Sequence, residues 1–170
     1  MLMSFWMVQK LTREINDLER QAIQARNTLS EHQKYASVLG GSSTLSMNNI
    51  AGLSPRLLPR ATLFAQYSDQ ASNMSAMQHL QQFKMMGRIP YTGNQMMDMQ
   101  IQMSAFMQFK EASLKMHKQQ EIQILNEKEK EIQLEVNQIE QRLAMKRQEL
   151  ESCKQLASQE AKESAPKFGL

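Results

Sequence analysis

The chain has 170 residues, 41% hydrophobic and only 6% aromatic, with 20 basic and 17 acidic side chains and a net charge of +3. Gln, Met, Glu, Lys and Leu in this mixture suit long helices that share narrow apolar stripes, and argue against a large aromatic-rich globular core. Charges of both signs alternate along the chain instead of gathering into a basic face with stacking aromatics, which excludes the usual nucleic-acid platform, and the single Cys153 excludes an internal disulfide.

Residues 1–8, MLMSFWMV, are apolar but too short to span a bilayer. No basic residue precedes them, and Lys10 and Arg13 follow, the reverse of a secretory signal. The expectation is a soluble chain without a classical signal peptide, either cytoplasmic or exported by a signal-independent route. Phe5 and Trp6 are candidate contact residues, because aromatics anchor interfaces.

A first helix is expected over residues 5–39. Val8, Leu11, Ile15, Leu18, Ala22, Ala25, Leu29, His32, Ala36 and Leu39 recur by threes and fours, with only His32 polar. That spacing is the signature of a coiled-coil seam. Gly40 and Gly41 are expected to stop it, glycine being able to take the left-handed cap conformation. Residues 40–60 are rich in Gly, Pro, Ser and Asn and read as a looped-out connector with one short helical turn near Ile50. Arg56 and Arg60 flank Leu57 and Leu58 there, so an exposed docking loop is the sharper reading.

A second helix is expected over 61–86, with Leu63, Tyr67, Ala71, Met74, Met77 and Phe83 roughly along one face and Gly87 as its stop. Thr92 or Asn94 suits the cap of a third helix over 95–161, a stretch without Gly or Pro. As one helix it would run about 100 Å at 1.5 Å per residue. Its second half holds another seam: Ile122, Leu125, Ile132, Val136, Ile139, Leu143, Leu150, Cys153 and Ala157. The phase is lost across 115–120, upstream of which Met99, Met103, Phe106, Met107 and Phe109 take over. Residues 163–170 read as a flexible tail ended by Pro166.

These elements predict an all-α fold, a long antiparallel coiled-coil hairpin of three helices forming a single elongated domain over 1–162. The short connection at 87–94 returns the second helix along the start of the third, leaving the first helix for the remainder. A register placing Ile15 against Ile139, Leu11 against Leu143, Leu18 against Val136, Leu29 against Leu125 and Ala22 against Ile132 would bring Glu14 near Arg142. A parallel dimer of the third helix would instead oppose Glu135 to Glu140 and Arg142 to Arg147, like charges that select against it.

No motif for nucleotide, metal or nucleophilic chemistry appears, and His32, His79 and His117 stand apart on different segments. We expect no enzyme activity, no cofactor, no metal, no transmembrane segment and no small-molecule substrate. The chain holds 15 methionines, ten of them between positions 74 and 116. Methionine is over-used where an apolar surface must accommodate partners. The candidate interaction surface is therefore Phe5, Trp6, Met74, Met77, Met85, Met86, Met96, Met97, Met99, Met103, Phe106 and Met107.

Two functions fit. One is a self-associating structural subunit of a larger bacterial assembly, filamentous or secretion-associated. In layout alone this resembles secreted helical filament proteins of bacteria, in which terminal helices pair and a middle segment loops out. The other is a soluble adaptor or chaperone that holds a partner helix in a Met-rich groove.

Overall fold

A computed structural model describes residues 2–41 and 47–164. Every regular element among them is an α-helix: α1 (Leu2–Gly41), α2 (Met47–Ile50), α3 (Leu58–Met85) and α4 (Gln95–Ser164). The fold is all-α, with α1 and α4 packed against each other as a helical hairpin. α4 runs unbroken through Lys118, where the apolar phase changes. One end differs from expectation: Gly40 and Gly41 stay helical, and only Gly87 and Gly93 have positive φ among the described glycines. Glycine in a right-handed helix is costly by about 1 kcal/mol against alanine but not forbidden, so a glycine pair does not by itself end a helix. Residues 163 and 164 belong to α4, and the rest of the expected tail lies outside the described residues.

The contacts divide into two units. The central unit, Glu31–Lys128, has a core of Tyr35 and Leu39 from α1, Ala61 from α3 and Leu125 from α4. The connector adds Ile50, Leu53 and Leu57. The expected helical turn near Ile50 is present as α2. The Leu53 amide then donates to the Ile50 carbonyl at 3.0 Å and the Leu57 amide to that of Ser54 at 3.1 Å. These turns aim all three apolar side chains inward, and each contributes about 2 kcal/mol by leaving water. Leu57 is therefore core and not a docking residue, whereas Leu58 is partly exposed.

The turn from α3 to α4 is specified locally. Gly87 is left-handed with φ of +67°, its amide donates to the Lys84 carbonyl, and the Arg88 amide donates to that of Phe83. This pairing satisfies the last carbonyls of α3. The Asn94 side chain caps α4 by accepting from the Met96 amide at 3.1 Å. Asp98 accepts from both the amide and the hydroxyl of Thr92, at 2.8 and 2.7 Å. Those bonds hold its carboxyl below its ordinary pKa.

α3 turns a different face inward from the one its large side chains mark. Its buried residues are Ala61, Ser68, Ser72 and Ala76, while Leu63, Tyr67, Met74 and Met77 are exposed. Ser113 of α4 is buried as well. The Lys110–Asp69 ion pair at 2.9 Å and the edge-on Tyr67–His117 contact join the two helices on either side of Ser113 along α4. Small side chains let helices approach closely, and the wholly buried positions of this face are Ser and Ala.

The terminal unit, Met1–Ser30 with Glu129–Leu170, packs Ala22, Ala25, Val136 and Ile139 together, with Leu18 and Ile132 against them. Leu11 and Ile15 are buried, and Val8, Leu29, Leu143 and Leu150 are half-buried. Arg147 donates to Glu19 at 2.6 Å, and Arg26 pairs with Glu140. Moving from Glu19 to Arg26 on α1 thus retreats from Arg147 to Glu140 on α4, an antiparallel pair. The register differs from the expected one by about a heptad. Glu14 reaches Lys146 at 3.2 Å instead of Arg142, and Ala22 packs with Val136 and Ile139. A seam that repeats every seven residues tolerates a slip of one heptad, and flanking charges choose among the alternatives.

Candidate interaction surfaces

In the central unit the methionine-rich ends of α3 and α4 face outward. Met74, Met77, Met85, Met86, Met96, Met97, Met99, Met103 and Met107 are each more than half exposed, and Phe106 is half-buried. On α3 the outward line continues through Leu63 and Tyr67. Leu63, Tyr67, Gln70, Met74, Met77 and Gln81 recur by fours and threes, so they form a second, outward seam without a formal charge. Phe83 and Phe109 pack edge to face at 4.9 Å, and Arg88 lies over the Phe83 ring. These contacts stiffen the base of the surface without covering its methionines.

In the terminal unit Phe5 and Trp6 are also exposed. Trp6 and Met7 of α1 border an open groove of about 630 Å³ whose other wall includes Met145, Ser152 and Cys153 of α4. A second hollow shares Trp6, Met7 and Cys153 and adds Met3 and Leu156. Lys10 lies 5.5 Å from the Trp6 ring centroid, a cation–π contact that orients the indole. The expected surface is thus two separate exposures, one in each unit.

One cluster escapes the heptad reading. Tyr35 is fully buried although the seam positions pass on either side of it at His32, Ala36 and Leu39. Its hydroxyl donates to Glu121 Oε1 at 3.4 Å, and Arg60 Nε donates to the same oxygen at 2.7 Å. Burial, then the negative Glu121, push the Tyr35 pKa well up, and the bond to Glu121 raises that of Arg60. The Glu121 carboxylate is spent on Arg60 and Tyr35, a structural arrangement and not an acid–base pair facing a cleft. A sequence signal existed: apolar residues at 35, 36, 38 and 39 make a stripe wider than a two-helix seam needs.

That cluster makes the central unit sensitive to alkali. An unfolded tyrosine ionises near pH 10, whereas folded Tyr35 resists ionisation, so stability present below pH 10 is lost as pH rises beyond it. Urea unfolding at pH 9 and pH 11 should show about 1.4 kcal/mol of extra loss at pH 11 relative to Tyr35→Phe. Equal losses in the two proteins would contradict this assignment.

Among the described residues no helix is long and apolar enough to cross a membrane, and no group of three or more His, Cys, Asp and Glu side chains converges on a point. No family model, curated protein or solved structure matches this chain.

Proposed function

We propose that the chain is a non-enzymatic structural subunit that assembles through helix–helix contact, with further copies of itself as the partner of its methionine-rich surface. The larger assembly is bacterial, filamentous or secretion-associated. The observation that supports this most is the exposure of nine methionines on α3, α4 and the turn that leaves α3, beside Leu63 and Tyr67. Exposed large apolar side chains in such number mark surfaces that partners cover. Unbranched thioether side chains suit them because they repack against a neighbour at little cost.

A second reading, a soluble adaptor that holds a partner helix, is favoured by the groove beside Trp6 and Met7. Light scattering coupled to size-exclusion chromatography over a wide concentration range separates the two. A structural subunit gains mass with concentration. Replacing Met74, Met77, Met99 and Met103 together by Glu, a good helix former, should weaken that association about thirtyfold and leave the helical circular dichroism unchanged. A fixed monomeric mass at every concentration would rule out self-assembly in favour of the adaptor.

A further inference from the structure

Within the terminal unit α4 carries two seams. The inner one, including Ile132, Val136 and Ile139, is the seam packed against α1. Two residues further on from each inner position lies an outer series, recurring by fours and threes over positions 134–159. It begins Leu134, Gln138, Gln141, Met145, Gln148, and contains only Leu, Met, Gln and Ser. All of these positions are exposed. None is charged, although 14 of the 36 residues over 129–164 are Asp, Glu, Lys or Arg. The outward face of α1 is the opposite: Lys10, Arg13, Asp17 and Arg20 occupy it, and Asp17 pairs with Arg20 at 2.9 Å. Charge on the outward face is what a helix bathed in water carries, and depletion of charge is what a contact core carries.

Resting on the assembly reading above, we infer that this outer face of α4 is a homotypic contact in which α4 of a second copy packs antiparallel about a two-fold axis between Met145 and Gln148. The charges that flank the face select this partner and orientation. Arg142 and Glu149 lie on the same flank, one heptad apart, each next to a glutamine of the seam. Arg142 is exposed, and among the described residues it has no ion-pair or hydrogen-bond partner. Its neighbours are already engaged: Glu140 with Arg26, Lys146 with Glu14 and Glu149, and Arg147 with Glu19. Glu149 meets Lys146 through Oε2 at 2.9 Å along its own helix, which leaves Oε1 for the second copy. Antiparallel pairing about that axis sets Arg142 opposite Glu149 of the second copy, and the two-fold repeats the ion pair. Parallel in-register pairing sets Arg142 near Asn137 and Glu149 near Ala144 of the second copy, with no ion pair at either place. The self-complementarity is that of a two-fold interface, where one patch meets its own copy. A seam of glutamines with one leucine and one methionine makes the contact weak and reversible.

Charge reversal on the full chain tests this, with the dissociation constant read from concentration-dependent light scattering. Arg142→Glu and Glu149→Arg each convert both symmetry-related attractions into repulsions, and each should weaken association about tenfold. The double variant Arg142→Glu with Glu149→Arg restores the pairing in reverse and should return to within about threefold of the starting value. Association of the original chain with no response to either single reversal would overturn this contact and leave the assembly reading intact. No association of the original chain at any concentration would overturn both.

Discussion

Tyr35→Ala should lower the stability of the central unit by about 4 kcal/mol, the largest effect expected of any single truncation in that core. Tyr35 is wholly buried among Leu39, Ile50, Leu53, Leu57, Ala61 and Leu125, in a cluster that joins α1, the connector, α3 and α4. Removing the ring deletes the central filler of that cluster. Leu39, Ile50 and Leu125 are held by three different segments, so they cannot close over the space without moving backbone. The substitution also strips Glu121 of one of its two donors inside the core, adding an electrostatic cost. Tyr35→Phe keeps the ring and loses only a long 3.4 Å hydrogen bond, so its cost should be about 1 kcal/mol. Urea denaturation at pH 7 followed by circular dichroism measures both. Equal midpoints for the original chain and Tyr35→Ala would show that this cluster does not hold the unit together.

The second large effect is expected on α3. Ala76→Leu should destabilise the α3–α4 pairing by about 3 kcal/mol, although it adds apolar surface to a helix and keeps a strong helix former. Ala76 is fully buried on the small-residue face, and three extra carbons have no space to enter without forcing the helices apart. Ser72→Ala on the same face should have the opposite sign and stabilise by about 1 kcal/mol, because the buried Ser72 hydroxyl finds no hydrogen-bond partner among the described residues. Leu63→Ala, on the outward face, should change stability by less than about 0.5 kcal/mol. Thermal melts of the three variants would expose an error at once if Leu63→Ala proved the most damaging, since that ranking belongs to a helix packed by its large side chains.

That inversion on α3 shows why part of the fold was hard to read in advance. Periodicity reports which residues share a face, and on α1 the apolar face and the buried face coincide because α1 meets its partner through Leu, Ile and Ala. On α3 two faces carry helical spacing. One holds Leu63, Tyr67, Met74 and Met77, and the other holds Ala61, Ala65, Ser68, Ser72 and Ala76. Apolar content favours the first, yet close helix approach requires the second, and local sequence contains no term for the distance between two helices. The methionines identified as an interaction surface are outward for the same reason: the closer, smaller face is already occupied by α4.

Register followed a similar rule. The two apolar seams of the terminal unit were legible, and so was their antiparallel sense, since the connection at 87–94 reverses the chain. Which heptad met which was not. Ile15 against Ile139 and Ala22 against Ile139 are nearly equivalent for a seven-residue repeat, and the choice rests on Glu14, Glu19 and Arg26 finding Lys146, Arg147 and Glu140. The connector was legible in its composition and its short turn near Ile50, but not in its destination. Gly, Pro and Ser signal a break in the helix, whereas the inward path of Ile50, Leu53 and Leu57 depends on a pocket that α1, α3 and α4 form together.

Sequence alone determined the all-α class, the helices and their order, the inner seams of α1 and α4, and the stop at Gly87, and narrowed the cap of α4 to Thr92 or Asn94, because each depends on interactions within a few residues along one chain segment. Tertiary structure decided the heptad register, the inward face of α3, the core position of Tyr35 and the Glu121–Arg60 pair. Each of those depends on how near two helices lie and on which charge waits across the gap, quantities set only when distant segments meet.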